Sequence, residues 1–482
     1  MSSLFSEGYT IGQFNSLAKP QSSLIPRGGG SLVKEWKTKL TKITTTQILV
    51  LGILIRIGLS PFFRHPFDIV AWKFLGIISY DLNINPLPYT SFYGPCWLFT
   101  LLGSYPIYLL VSLVRPSELF LNLVIKLPII FGDLIVAVLL FKITKSKLSL
   151  ALWFLNPYVI WTSAVHGIFD VLPTLFSLLS MYFLVKKQNL ASAVSLAVGI
   201  GYKVFPVFLV PFFLLFSARN FGKKFSMKYL LVLVAASLLV FAIFLLPQNF
   251  KYFYEGLFVD LPRRSMSYVG SSISYIEFLT LHLGLISNYN FLYTFIPLYI
   301  ALILFSFKFG TDFDKLNEAI IITLLLLFVT YNTMHPQFLV WVIPFLLIEY
   351  VRKKRISFII LGGMWFWMML WIFSWNMEMW VVGPLQVFIP VLTHGQMNEL
   401  LLVSSMNFSA FTFACIADVS GMLRKIGLPF SKWIRFLVLA VSTFTMDILL
   451  YSFYGNWVII IPILCFAVFY PLIIMSLGGR NS

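Results

Sequence analysis

The sequence is poor in charge. Asp, Glu, Lys and Arg make up 11% of its 482 residues, against roughly a quarter in an ordinary soluble domain, so a solvated globular surface is excluded for most of the length. Acidic residues are the scarcer kind, 18 Asp and Glu against 35 Lys and Arg, for a net charge of +17. Cysteine is nearly missing. Cys96, Cys415 and Cys465 are scattered through apolar sequence with no CxxC and no Cys/His pairing, so no zinc site is indicated and the three read as packing residues. The short alternating segments of a β-barrel are absent. No RNA- or DNA-binding motif occurs, so the positive charge does not point to nucleic acid.

What is present is hydrophobic length. Hydrophobic residues make up 59% of the chain, in recurrent runs of roughly 18–20 residues, the pattern of an all-α polytopic membrane protein. Residues 1–33 are rich in Ser, Gly and Gln and include "PRGGGS". They read, with the basic stretch to residue 43, as a mobile cytoplasmic tail. They do not read as a cleavable signal, because the apolar region starts too late and no small-residue cleavage site precedes it.

Lys and Arg collect on the cytoplasmic side of such proteins. "KEWKTKLTK" (34–42) precedes the first span, 44–61. Further clusters are Lys142/Lys145/Lys147, Lys186/Lys187, Lys223/Lys224/Lys228, "RKKR" (352–355), and Arg424/Lys425 with Lys432 and Arg435. All fall inside if the spans are 122–141, 150–165, 170–185, 229–247, 291–308, 317–334, 337–350, 356–375, 398–418, 434–452 and 457–476. The piece 189–217 must then enter and return as two short helices meeting at "GYKVFP", since broken helices occur at membrane depth where they line a cavity. Segment 94–114 is expected to lie on, or dip into, the outer face. The total is about 13–14 membrane segments with both termini inside. The polar, aromatic and proline-rich stretches 62–93, 248–290 and 376–397 fall outside, some of them as interfacial helices.

Several polar residues of that outer side invite a chemical reading. Asp68, in "RHPFDIVAW", is the first carboxylate after span one: a general base for a hydroxyl, or a helix cap, or a partner for Arg64. His166 and Asp170, in "HGIFDVLP", sit at the outer end of one span and the start of the next. They line a sugar pocket, or Asp170 caps a helix while His166 reaches the interface. Lys203 interrupts "AVGIGYKVFPVFLV", where an uncompensated charge is costly; it meets a lipid phosphate or snorkels. Arg263 and Arg264 lie in an outer loop that cytoplasmic charge bias does not explain, and guanidinium forks suit phosphate oxygens; the alternative is a solvated loop pair. His335 opens "HPQFLVWVIPF" and donates to a phosphate or caps a turn. Asp133, inside a span, reads as a helix–helix hydrogen-bonding group.

Three stretches in this order resemble the GT-C glycosyltransferases that use polyprenyl-phosphate sugars. The nearest likeness is to the GPI-anchor mannosyltransferase I type and the related prokaryotic polyprenol-phosphate-mannose enzymes. They are the loop aspartate followed by "YTSFYGPCWLF", similar to that family's Y-x-P-L segment; the block 130–211 with its "NP", "HGIFD" and "KVFP"; and "HPQFLVWVIPF". The likeness spans roughly residues 50–345. It implies a GT-C-like catalytic membrane module over 44–350, with additional transmembrane helices in 351–482. It also implies inverting transfer of a hexose, most like mannose, from a polyprenyl-phosphate donor to a glycolipid, lipid-linked oligosaccharide or protein hydroxyl, at the plasma membrane of a prokaryote or in the ER of a eukaryote. On this reading Asp68 is the catalytic base, Lys203, Arg263, Arg264 and His335 contact the donor phosphate, and His65, Tyr93, His166 and Asp170 line the sugar or acceptor pocket. The family shows two acidic residues close together in this loop. Here Asp68 stands alone and Asp81 comes thirteen positions later, so no metal ligands are assigned, a divalent metal stays open, and a single-base mechanism remains. A transporter or lipid flippase, or a noncatalytic subunit of a glycosylation complex, is the rival expectation.

Overall fold

The computed structural model describes residues 43–89, 94–114, 117–255, 292–308, 312–331, 335–353, 356, 358–373 and 394–420. The regular elements of these residues are all helices. The expected spans 434–452 and 457–476 lie outside them.

Helix α1 (Thr45–Leu59) starts at a capping box: Thr44 Oγ1 accepts from Gln47 N at 3.1 Å and Gln47 Oε1 from Thr44 N at 2.8 Å, which satisfies two otherwise orphaned amides. Helix α2 (Pro66–Gly76) places Pro66 at its first position, where a missing N–H costs nothing, and runs into a π-helical turn, Ile77–Asp81. Helix α3 is Pro95–Ser112, and α4, Glu118–Thr144, follows. With 27 residues, α4 is about 40 Å long.

Next come α5 (Lys147–Phe154) and α6 (Pro157–Ile160), the latter continued by a π-helical turn, Trp161–His166. The single span expected over 150–165 is bent by 44° between them. Pro157 has no N–H to give, and the Asn156 side chain takes the amide of Tyr158 at 2.9 Å, so the ladder breaks there.

Helices α7 (Val171–Val185) and α8 (Asn189–Tyr202) form a hairpin. Lys203 is extended, and a 3₁₀ turn, Phe205–Leu209, leads into α9 (Val210–Phe221). The expected break at "GYKVFP" is therefore present. The remaining helices are α10 (Lys223–Leu245), α11 (Phe250–Tyr254), α12 (Leu292–Lys308), α13 (Phe313–Thr330), α14 (Ile343–Lys353), α15 (Phe358–Phe373) and α16 (His394–Ser420). A 3₁₀ turn, Pro336–Trp341, precedes α14, so the helix expected over 337–350 is interrupted at its start.

By length and composition α3, α4 and α10 can each cross a membrane, and the bent α5–α6 pair makes a fourth such unit. This is a polytopic integral membrane protein. Segment 94–114, expected at the outer face, forms a helix long enough to span. Helix α4 is the central one: 61% of its most apolar window is buried, against 17% for α10, whose exposed leucines and valines suit lipid contact. Helix α4 packs on α3, α5, α7 and α14, α8 on α7 and α10, and α16 on α13 and α15.

Inside this bundle Arg56 of α1 and Asp133 of α4 form a fully buried ion pair, Nε to Oδ2 at 2.9 Å. Arg56 Nη1 also donates to Phe154 O at 2.7 Å, the carbonyl left over at the α5–α6 bend. Asp133, expected to bond between helices, does so with a cation.

Candidate functional site

Residue contacts place the end of α1, the start of α2, the end of α6, the start of α7 and the end of α8 at one end of the bundle. At the other end Lys147 Nζ reaches Ile43 O, Asn189 Nδ2 donates to Phe225 O, and Lys353 pairs with Asp314. The first end carries most of the residues singled out in the sequence.

Asp68 occupies the first turn of α2. Its Oδ2 lies 3.1 Å from Nδ1 of His65, the N-cap residue, and that Nδ1 also faces the amide of Asp68 at 3.2 Å. When protonated, Nδ1 donates to the carboxylate; when bare, it accepts the backbone N–H. Nδ1 of His65 therefore lies between the carboxylate and the backbone amide of Asp68. Arg64 meets Glu118 at 3.5 Å, and Lys73 meets the same carboxyl at 3.0 Å. The Asp68 side chain keeps 24% exposure and His65 13%.

His65 is joined to His166. Its amide donates to the His166 carbonyl at 2.9 Å, and the two rings meet edge-on at 5.4 Å. From His166 the chain turns through Gly167, at φ +77°, to Phe169 and Asp170. Phe169 stacks on Trp97 at 4.5 Å and leans on Trp72, fixing the turn against α2 and α3.

The Asp170 side chain does not cap α7. Its two oxygens lie 2.7 and 2.9 Å from Lys203 Nζ, and Trp341 Nε1 donates to Oδ1. Aromatic rings close around the ammonium: Phe338 at 4.6 Å, Trp341 at 5.2 Å and Phe169 at 5.6 Å. Trp341 is itself stacked on Phe205 and Phe338, both at 4.2 Å. The carboxylate is wholly buried while Lys203 keeps 26% exposure, so the cation is the member of the pair that faces outward. His335 opens the 3₁₀ turn without a capping side-chain bond and packs edge-on to Phe338 at 5.4 Å.

Asp68, His65, His166, Asp170, Lys203 and His335 are thus linked by a continuous run of contacts. Tyr93, Arg263 and Arg264 lie outside the described residues. Asp81 is not a neighbour of Asp68: it ends the π turn, accepts from Tyr105 Oη at 3.3 Å, and stands about 20 Å along the helix axis from Asp68. Among the described residues no group of three or more His, Cys, Asp or Glu side chains is disposed to hold a metal ion. The paired carboxylates that would hold a divalent ion are not formed by these two residues.

Two residues of the region were not singled out in the sequence. Trp341 closes the Asp170 pair. Lys126, in the first third of α4, is completely buried, and four carbonyl oxygens surround its Nζ within 3.0 Å: those of Ser60, Phe63, Ala164 and Val165. The signal was available, since "NLVIKLPII" interrupts apolar sequence with a lysine just as "GIGYKVFP" does.

No protein-family model matches the chain. No curated protein matches it in sequence. Among solved structures, the crystal structure of ArnT from Cupriavidus metallidurans bound to undecaprenyl phosphate is similar to this chain over 90% of its length and 77% of that chain, at 12% sequence identity and a TM-score of 0.48. A likeness of that order leaves function to be argued from the site.

Proposed function

We propose that this protein is an inverting, polyprenyl-phosphate-dependent glycosyltransferase that moves a hexose, mannose in the first instance, to an acceptor hydroxyl. The observation that carries the reading is the contact run that unites a partly exposed carboxylate with an outward-facing ammonium. This is what displacement of a lipid phosphate requires. Asp68 takes the acceptor's proton as its oxygen attacks the anomeric carbon. The carbon–oxygen bond to the donor phosphate breaks, and its electron pair leaves with the lipid phosphate. Lys203 and His335 meet the negative charge that grows there. Arg263 and Arg264 are assigned to the same phosphate on the strength of their sequence alone. His65, next to Asp68, receives the proton from the carboxyl and returns the base to its starting state.

The pocket assignment divides on burial. His65, His166 and Tyr93 remain sugar or acceptor residues in this proposal. Asp170, expected in the same pocket, serves instead by holding Lys203, because its carboxylate has no exposed surface. A site facing the extracytoplasmic or lumenal side is supported by the basic residues Lys145, Lys147, Lys186, Lys187 and Lys223, which the alternation of helices puts at the opposite end.

The test uses the purified chain in proteoliposomes with a panel of labelled polyprenyl-phosphate sugars. Formation of a new glycosidic bond with inverted anomeric configuration supports the proposal, and the panel names the sugar. Movement of an unchanged lipid across the bilayer, without bond formation, identifies a flippase and rejects it.

A further inference from the structure

Lys126 is the residue whose placement the proposed roles leave unexplained. An ammonium sealed inside a membrane protein is costly unless its protons are satisfied. Among the described residues no carboxylate is bonded to it. Its acceptors are four main-chain carbonyls from two separate stretches, Ser60 and Phe63 on one side, Ala164 and Val165 on the other. Ser60 is the C-cap of α1 and Phe63 lies in the turn just after it, while Ala164 and Val165 belong to the π turn after α6; at such helix ends carbonyls lack helical partners and the dipole favours a cation. One ammonium therefore caps two helices.

Those helix ends lead straight to the site. Two residues after Phe63 comes His65, and Asp68 follows; directly after Val165 comes His166. The two stretches touch again at His65 N to His166 O, 2.9 Å. Gly167 completes the clasp: a Cβ there would fall 2.6 Å from Lys126 Cε and 3.2 Å from Ile69 Cδ1, and the φ of +77° already disfavours a side chain. Lys126 thus touches the backbone on both sides of the base-and-histidine cluster without facing it.

We infer that Lys126 is a positioning residue, which sets the register between the Asp68–His65 turn and the His166–Asp170 turn. This rests on the proposed function for its kinetic consequence but not for its geometry. A role in the chemical step separates from plain fold support because the carbonyls that Lys126 holds lie next to His65 and His166, whereas Lys203 is bonded to Asp170 at the far end of the second turn, where Trp341 also holds the carboxylate. Loss of Lys126 displaces the base more than the donor-phosphate contact.

The experiment has a geometric arm and a kinetic arm. In a chain whose three cysteines are replaced by serine, His65→Cys and His166→Cys are oxidatively crosslinked in membranes. Disulfides tolerate little displacement, so Lys126→Met slows crosslinking roughly tenfold or more, and Lys126→Arg restores part of the rate. With both histidines present, Lys126→Met lowers kcat by roughly 100-fold, as expected for a catalytic group moved about 1 Å, and changes donor KM by less than about threefold. Gly167→Ala, which disturbs the same clasp with the lysine retained, produces the same pattern in both arms and decides the matter should Lys126→Met not insert. Parent-like crosslinking and parent-like kcat in the inserted variant overturn the inference. Slowed crosslinking in a chain that transfers no sugar from any donor rejects the proposed function and leaves the positioning role standing.

Discussion

Lys203 Nζ lies 2.7 and 2.9 Å from the two oxygens of Asp170, a residue 33 positions earlier in the chain. The pair is asymmetric: the acid is sealed in and the base looks out. A buried carboxylate therefore orients a cation that stays available to an anionic ligand, and the stacked rings of Phe338, Trp341 and Phe205 keep the ammonium from swinging away.

Asp170→Asn should weaken donor use before it abolishes the fold. Removing one member of a fully buried pair costs about 3–5 kcal/mol, and the water access of Lys203 reduces this to about 1–3 kcal/mol. Donor KM rises roughly tenfold or more, equivalent to about 1.4 kcal/mol of lost interaction. Thermal unfolding in detergent and steady-state kinetics read the two effects. A variant with donor KM unchanged contradicts the assignment of Asp170 to Lys203.

The Arg56–Asp133 pair predicts a different signature. Both partners are fully buried, so Arg56→Met or Asp133→Leu alone destabilises by about 3–5 kcal/mol, and the double substitution recovers much of the loss because neither charge is then stranded. Denaturant unfolding of the three variants gives the coupling. Additive losses would mean that the two side chains do not interact.

Glycine contacts give a third test. A Cβ on Gly94 would sit 2.1 Å from the Gly201 carbonyl oxygen, backbone against backbone at the junction of α3 with α8, while Gly103 has nothing within 4 Å. Gly94→Ala is expected at the severe end of single substitutions, roughly 4 kcal/mol. Gly103→Ala, inside α3, the helix that Gly94 precedes, is expected to be neutral or to stabilise by up to about 1 kcal/mol. Comparison of their unfolding temperatures checks both; equal temperatures would exclude the close approach.

Much of the architecture is legible from local features. The run lengths mark the helices, and "GYKVFP" announces the break at Lys203 because Pro206 supplies no amide hydrogen. The bend at Asn156–Pro157 rests on the same physics, but "NP" inside a long apolar run reads as one span when only mean hydropathy is weighed. The polar residues at the site end are visible as interruptions of greasy sequence. Their partners are not. Nothing local in "HGIFD" selects Lys203 over a lipid phosphate, and nothing in "YKVFP" names Asp170; the pairing is a product of how α7, α8 and the turn before α14 pack. Lys126 is harder still, because backbone carbonyls, its bonded acceptors among the described residues, are present at every residue and leave no mark in composition.

Sugar transfer by the proposed mechanism depends on Asp68 as the base. Sugar transfer from the competent polyprenyl-phosphate donor is measured for the parent chain and for Asp68→Asn in proteoliposomes, with donor affinity measured on the same preparations. The expected result is a fall in kcat of at least about 100-fold, the usual scale for loss of a general base, with donor affinity and unfolding temperature close to those of the parent. Turnover near the parental rate in a folded, donor-binding Asp68→Asn protein would contradict it.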